Sequence, residues 1–137
     1  MNPQPPAPPP RSRHPGGNFR RNHRREGARG EEIAADFLVE QGYRIVERNF
    51  RFRRKGEIDI VAREGEDLVF CEVKMRTNGE YGLPEYAVTP LKQRTIRMVA
   101  AAYLAVRGIR GQSCRFDVVT IRFEGFRPVM TLLRNAF

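Results

Sequence analysis

The sequence predicts a small mixed α/β domain in which a mixed central β-sheet is flanked by helices. Three observations predict it. Two stretches show helical periodicity, and five apolar runs read as strands, two of them clearly alternating. Their order along the chain is helix, three strands, helix, two strands, which suits a sheet packed by helices. A chain of 137 residues fits one domain with a real core.

Residues 1–25 hold seven of the ten prolines (Pro3, Pro5, Pro6, Pro8, Pro9, Pro10 and Pro15). They are predicted to form a disordered, partly polyproline II tail, leaving residues 26–137 as the folded domain. The tail arginines would either add sequence-independent attraction to phosphate or serve only as a solubilising extension. The first helix is expected over about residues 26–41. Ile33, Ala34, Phe37, Leu38 and Gln41 lie on one stripe, and Gly42 stops it. Glu31 and Glu32 complement its dipole.

Tyr43 to Arg54 reads as a strand that ends in the basic run Arg51, Arg53, Arg54 and Lys55. That run is either a solvated edge or a phosphate-contacting rim. Two strand-like runs follow, over Gly56 to Arg63 and Leu68 to Lys74, separated by the polar turn Glu64-Gly65-Glu66-Asp67. Thr89-Pro90 starts the second helix, with Thr as N-cap and Pro at the first position. It runs to about Arg107 with Ile96, Val99, Tyr103 and Val106 on one face, and Gly108 ends it. Lys92, Arg94 and Arg97 crowd its first turns against the helix dipole, which points to a bound anion or simply a solvated face. Arg115 to Phe123 and Val129 to Leu133 complete the sheet.

The second and third strands carry charge where apolar runs normally exclude it. In a symmetric hairpin Arg63 pairs with Leu68, Val61 with Phe70, Asp59 with Glu72 and Glu57 with Lys74. Asp59 and Glu72 would then face each other at about 5 Å between Cβ atoms. Two carboxylates at that distance repel by on the order of 3 kcal/mol, which a shared proton or a cation relieves. Hard oxygen ligands with no nearby His or Cys suit Mg²⁺ or Mn²⁺ better than zinc. Lys74, two residues from Glu72, could orient water or neutralise charge on a phosphate. The alternative is a surface hairpin with a Glu57–Lys74 pair and a solvated Asp59.

Net charge is +9 and the isoelectric point near 10.5, a balance that favours an anionic partner such as nucleic acid. Six of those nine charges lie in residues 1–25, so the folded part is only mildly basic. Cys71 and Cys114 are expected to be small buried residues in a reducing compartment. No apolar run reaches the length of a membrane span, and no apolar leader opens the chain, so a cytoplasmic location is expected.

The chain resembles the YraN family of bacterial proteins over about residues 27–137. The likeness rests on Gly27-Ala28-Arg29-Gly30-Glu31, Gly42-Tyr43 and Arg48-Asn49-Phe50-Arg51. It continues through Gly56-Glu57-Ile58-Asp59-Ile60-Val61-Ala62-Arg63, Val69-Phe70-Cys71-Glu72-Val73-Lys74-Met75-Arg76, Ala87-Val88 and Lys92-Gln93-Arg94. It closes with Arg115-Phe116-Asp117-Val118-Val119 and Asn135-Ala136-Phe137.

The resemblance implies a restriction-endonuclease-like core, similar to archaeal Holliday-junction resolvases. Their signature is an acid, a gap, then Glu-x-Lys, with a further Glu on the first helix. Carried onto this chain, it implies Asp59, Glu72 and Lys74 with Glu31 as catalytic residues, and Asp59, Glu72 and Glu31 as ligands for Mg²⁺ or Mn²⁺. Glu57 matches a family position without a defined role. Cys71 stands where Val is usual and Met75 where Thr is common, and neither belongs to the charged set. The implied function is a metal-dependent endonuclease acting on DNA, at branched or single-stranded structures. The alternative is a non-catalytic nucleic-acid-binding module on the same fold. A resolvase that cuts two strands symmetrically is expected to be a homodimer, although no segment identifies an interface.

Overall fold

The computed structural model describes Pro3, the backbone of residues 16–26, and residues 27–77, 83–84 and 87–137. The elements are α1 (Gly16–Glu40), β1 (Arg44–Phe52), β2 (Gly56–Glu64), β3 (Asp67–Met75), α2 (Pro90–Arg107), β4 (Cys114–Glu124) and β5 (Arg127–Leu133). The expected element order and the mixed sheet flanked by helices are both present. The strands lie in sequence order, with β3 and β4 parallel and every other pair antiparallel. The parallel pair requires a crossover, and α2 supplies it.

The first helix begins at Gly16 rather than near residue 26. Arginine is a good helix former, and no proline follows Pro15 before the helix ends, so the basic run can extend the helix backward. Of the tail expected over residues 1–25, residues 16–25 therefore have helical backbone, and residues 4–15 lie outside the described residues.

The two sheet faces bury separate cores. Ala34, Ala35 and Leu38 of α1 pack with Tyr43, Ile60, Ala62, Val69, Cys71, Val119 and Ile121 on one face. Ile96, Val99, Ala100 and Tyr103 of α2 pack with Phe50, Ile58, Val61, Leu68, Phe70 and Val118 on the other. Tyr103 meets Phe50 and Phe70 edge-on, at centroid distances of 5.0 and 5.6 Å. Two expectations fail here. Val106 is exposed, since it is the neighbouring Arg107 that lies over Phe50 and Tyr103, and Cys114 is exposed at the start of β4.

The hairpin of β2 and β3 has the expected register near its turn, with Arg63 opposite Leu68 and Val61 opposite Phe70. The ladder stops at Ile60 and Cys71. The expected pairs Asp59–Glu72 and Glu57–Lys74 do not form. Beyond that point β2 stays with β1 through Ile58 and Gly56, while β3 stays with β4 through Met75. The strands fork because β2 changes face there: Ile60 faces α1, yet Ile58 faces α2. Strict alternation would put both on one side. On the neighbouring strand, Asn49 adopts a left-handed conformation (φ 55°) next to the same break. Asn tolerates that region better than most residues.

A buried polar network clamps the opposite end. Asp117 is wholly buried, and its carboxylate accepts from Tyr43 Oη at 2.6 Å, Arg115 Nε at 2.9 Å and the Asn135 amide at 2.9 Å. Arg115 also pairs with Glu64 and Asp67, and Arg134 pairs with Glu64. Each partner satisfies a group that would otherwise be costly to bury.

Candidate functional site

The fork between β2 and β3 opens between α1 and α2, and the acids gather in it. Asp59 sits where the ladder fails. Its Oδ2 accepts a hydrogen bond from the Val73 amide at 2.8 Å, taking a donor that a continuous ladder would have used. Carboxylate oxygens of Glu31, Glu57 and Asp59 lie within 4.8 Å of one another. Glu31 reaches the group from α1, and the nearby Asn49 side chain favours its ionised form.

Glu72 is not a member of that triad. It lies next to it, joined to Asp59 by a side-chain hydrogen bond. It also faces Lys92 Nζ of α2 at 3.7 Å. Thr89 caps α2 by accepting from the Lys92 amide at 3.2 Å, which fixes the turn that carries this lysine. The anion that crowded cations at this helix start suggested is thus, at Lys92, the protein's own Glu72. Lys74 is exposed and makes no ion pair among the described residues. With Glu72, Lys92 and Thr89 it lines a cavity of about 310 Å³.

The electrostatics follow from crowding. Burial raises the Glu72 carboxyl first and the Asp59 charge raises it further, to about 8. Asp59 is also raised, chiefly by burial, against the pull of the Val73 amide. Glu31 is raised by burial and then by Asp59. At neutral pH the Asp59–Glu72 pair therefore shares a proton. This is one of the two ways of relieving a carboxylate pair; a cation is the other.

The donor set fits such a cation. All four side chains offer only carboxylate oxygens, the ligands of Mg²⁺ and Mn²⁺. Carboxylate oxygens within 4.8 Å of one another are near enough to converge on one small ion after modest side-chain adjustment. Glu31, Glu57 and Asp59 would hold the ion, with Glu72 able to join once its proton leaves.

Of the residues singled out in the sequence, Glu31, Asp59 and Glu72 come together, and Lys74 stands at the edge of the cavity beside Glu72. Sequence reasoning missed three contributors. Glu57 was paired in the wrong register, Asn49 gave no chemical signal of its own, and Lys92 was noted only as misplaced charge. Its position three residues after an N-cap threonine was the available clue.

A model described as "Uncharacterised protein family UPF0102" matches residues 30–121. A UPF0102 protein of Geobacter metallireducens is 49% identical over 111 residues, covering 81% of this chain and 90% of that protein. One of Pelobacter propionicus is 48% identical over 130 residues, covering 93% and 92%. One of Symbiobacterium thermophilum is 52% identical over 115 residues, covering 83% and 97%.

Proposed function

The chain belongs to the UPF0102 family, and from that premise we propose that it is a divalent-metal-dependent endonuclease that hydrolyses phosphodiester bonds in DNA, at branched or single-stranded structures. One observation carries the reading: the convergence of Glu31, Glu57 and Asp59 at a sheet fork, with Glu72 bonded to Asp59 and lysines beside it. The acid, gap, Glu-x-Lys pattern shared with restriction-endonuclease-like enzymes and archaeal resolvases supports it further.

In this reading Mg²⁺ or Mn²⁺, when bound, supplies charge stabilisation at the phosphate and a more acidic water. The protein's own groups do the rest. The Val73 amide fixes one Asp59 oxygen before substrate arrives. Lys74 lines the cavity beside Glu72, from where its ammonium can donate to a phosphate oxygen or hold the attacking water. Lys92 balances the Glu72 carboxylate once that group is ionised. Symmetric cutting of a junction would need two copies of the chain.

The second reading is a nucleic-acid-binding module without chemistry. Lys92 and the bond to Asp59 favour it, since they satisfy Glu72 without any cation.

Incubating the full chain with linear, nicked, flap and four-way-junction DNA in Mg²⁺, Mn²⁺ or EDTA tests both. Metal-dependent cleavage that falls by about 100-fold or more in Glu72→Ala and Lys74→Ala, with unchanged circular dichroism, supports the first. Salt-sensitive DNA binding with no cleavage in either metal contradicts it and supports the second.

A further inference from the structure

Beside the carboxylates lies a second cavity that the hydrolytic reading leaves unused. It measures about 270 Å³ and is lined by Arg51, Arg53, Arg54, Gly56, Glu57 and Lys92. Four of those six residues are cations and one is an acid. Arg51 is committed to that acid through a 3.0 Å pair with Glu57. Arg53 lies over the Phe52 ring at 5.3 Å, and Arg54 has no ion-pair partner among the described residues. Lys92 holds Glu72 only at 3.7 Å and is 46% exposed, so donors remain to it.

The cavity is built by the fold. Gly56 lets the start of β2 lie against α2: a Cβ there would stand 2.8 Å from Thr95 Cγ2 and 3.0 Å from Val99 Cγ2. That approach brings the β1–β2 turn toward the turn carrying Lys92. The same turn holds Arg53 in the left-handed region (φ 52°), where glycine or asparagine is the ordinary occupant. A charged residue is kept at a conformational cost. The space lies just below the usual range of ligand clefts, and its cationic lining suits an anionic group.

The two cavities share Lys92, and Glu57 belongs both to this one and to the carboxylate triad. A phosphate in the basic cavity is therefore a neighbour of whatever the carboxylates hold. We propose that this cavity is a phosphate subsite for a polynucleotide strand, gripping a backbone phosphate next to the one at the carboxylates through Arg53, Arg54 and Lys92. It sets which bond along the strand reaches the acids. The inference rests on the endonuclease reading for its substrate, but its test does not require cleavage.

Binding of a fluorescein-labelled oligothymidylate to the full chain is measured by anisotropy in EDTA across a salt series. Arg54→Gln and Arg53→Gly should each weaken binding about 3- to 10-fold and lower the salt slope by about 0.7, the value for one single-strand phosphate contact. Arg44→Gln, exposed at the opposite end of β1, serves as the control and should change neither. Arg53→Gly also suits the left-handed backbone, so it should melt no lower than the parent while binding less. Loss of binding together with a lowered melting temperature in that variant would mean a structural arginine and overturn the subsite. So would unchanged affinity and slope in both variants. A chain that binds as described but never cleaves leaves the subsite standing and removes the hydrolytic reading. One that cleaves while both variants bind like the parent does the reverse.

Discussion

Glu72 carries the sharpest consequence at the scale of a single residue. Burial and Asp59 raise its carboxyl from 4.5 to about 8, so the folded state keeps a proton that the unfolded state releases. The stability this contributes is complete below about pH 4.5 and is lost as pH rises toward 8. In EDTA, the melting temperature of the parent should fall across that window more steeply than that of Glu72→Gln. At pH 8 the Gln variant should be more stable by about 1–2 kcal/mol, because a buried carboxyl forced toward ionisation has been removed. Parallel melting curves from pH 5 to 8 would contradict the shared proton. Metal binding has the opposite sign: a cation that recruits Glu72 displaces the proton, so affinity for Mn²⁺ should rise between pH 6.5 and 8.5. At this scale the sequence disclosed chemistry better than contact. Asp59, Glu72 and Lys74 stood out as charges in apolar runs. Asn49 did not, because its part comes from a left-handed backbone that composition does not encode.

Among the elements, the hairpin of β2 and β3 is the instructive case. Turn residues and alternation were enough to place Arg63 opposite Leu68 and Val61 opposite Phe70. They could not place Asp59, because alternation assumes an unbroken ladder, and this one ends at Ile60 as each strand follows its other neighbour. The fork depends on close approach to α2 at Gly56. Gly56→Ala should cost about 1–3 kcal/mol, since its Cβ would meet Thr95 and Val99. Gly30→Ala is the contrast. Its Cβ would meet only the end of the Met75 side chain, at 2.7 Å from Sδ, so the loss should stay below about 1 kcal/mol. Chemical denaturation of both variants checks this, and equal losses would contradict the account of the fork. Helix α1 was legible in its apolar stripe and its stop at Gly42. Its start was not, since Gly16-Gly17 and the arginine run look like tail in composition.

For the whole molecule, two cores on opposite sheet faces hold the acids between two helices, and the network around Asp117 ties the C-terminal residues to the sheet. Asp117→Ala should destabilise the chain by about 3–5 kcal/mol, because Arg115 would keep its place with its buried partner gone. A loss under about 1 kcal/mol in denaturant melts would show the network to be dispensable. The apolar helix faces, Val106 apart, and the helix–strand order could be read from periodicity. The gathering of Glu31, Glu57, Asp59 and Glu72 could not, because it joins α1, β2 and β3 across a break that no local pattern marks.

In the proposed reading, this gathering of acids holds a divalent cation. Calorimetric titration of Mn²⁺ into the metal-free full chain at pH 7.5 tests it most directly. Saturable binding at one site, with proton release, is expected, and it should be abolished in Asp59→Asn while the fold remains. No saturable binding by the parent chain, or equal binding by Asp59→Asn, would contradict it.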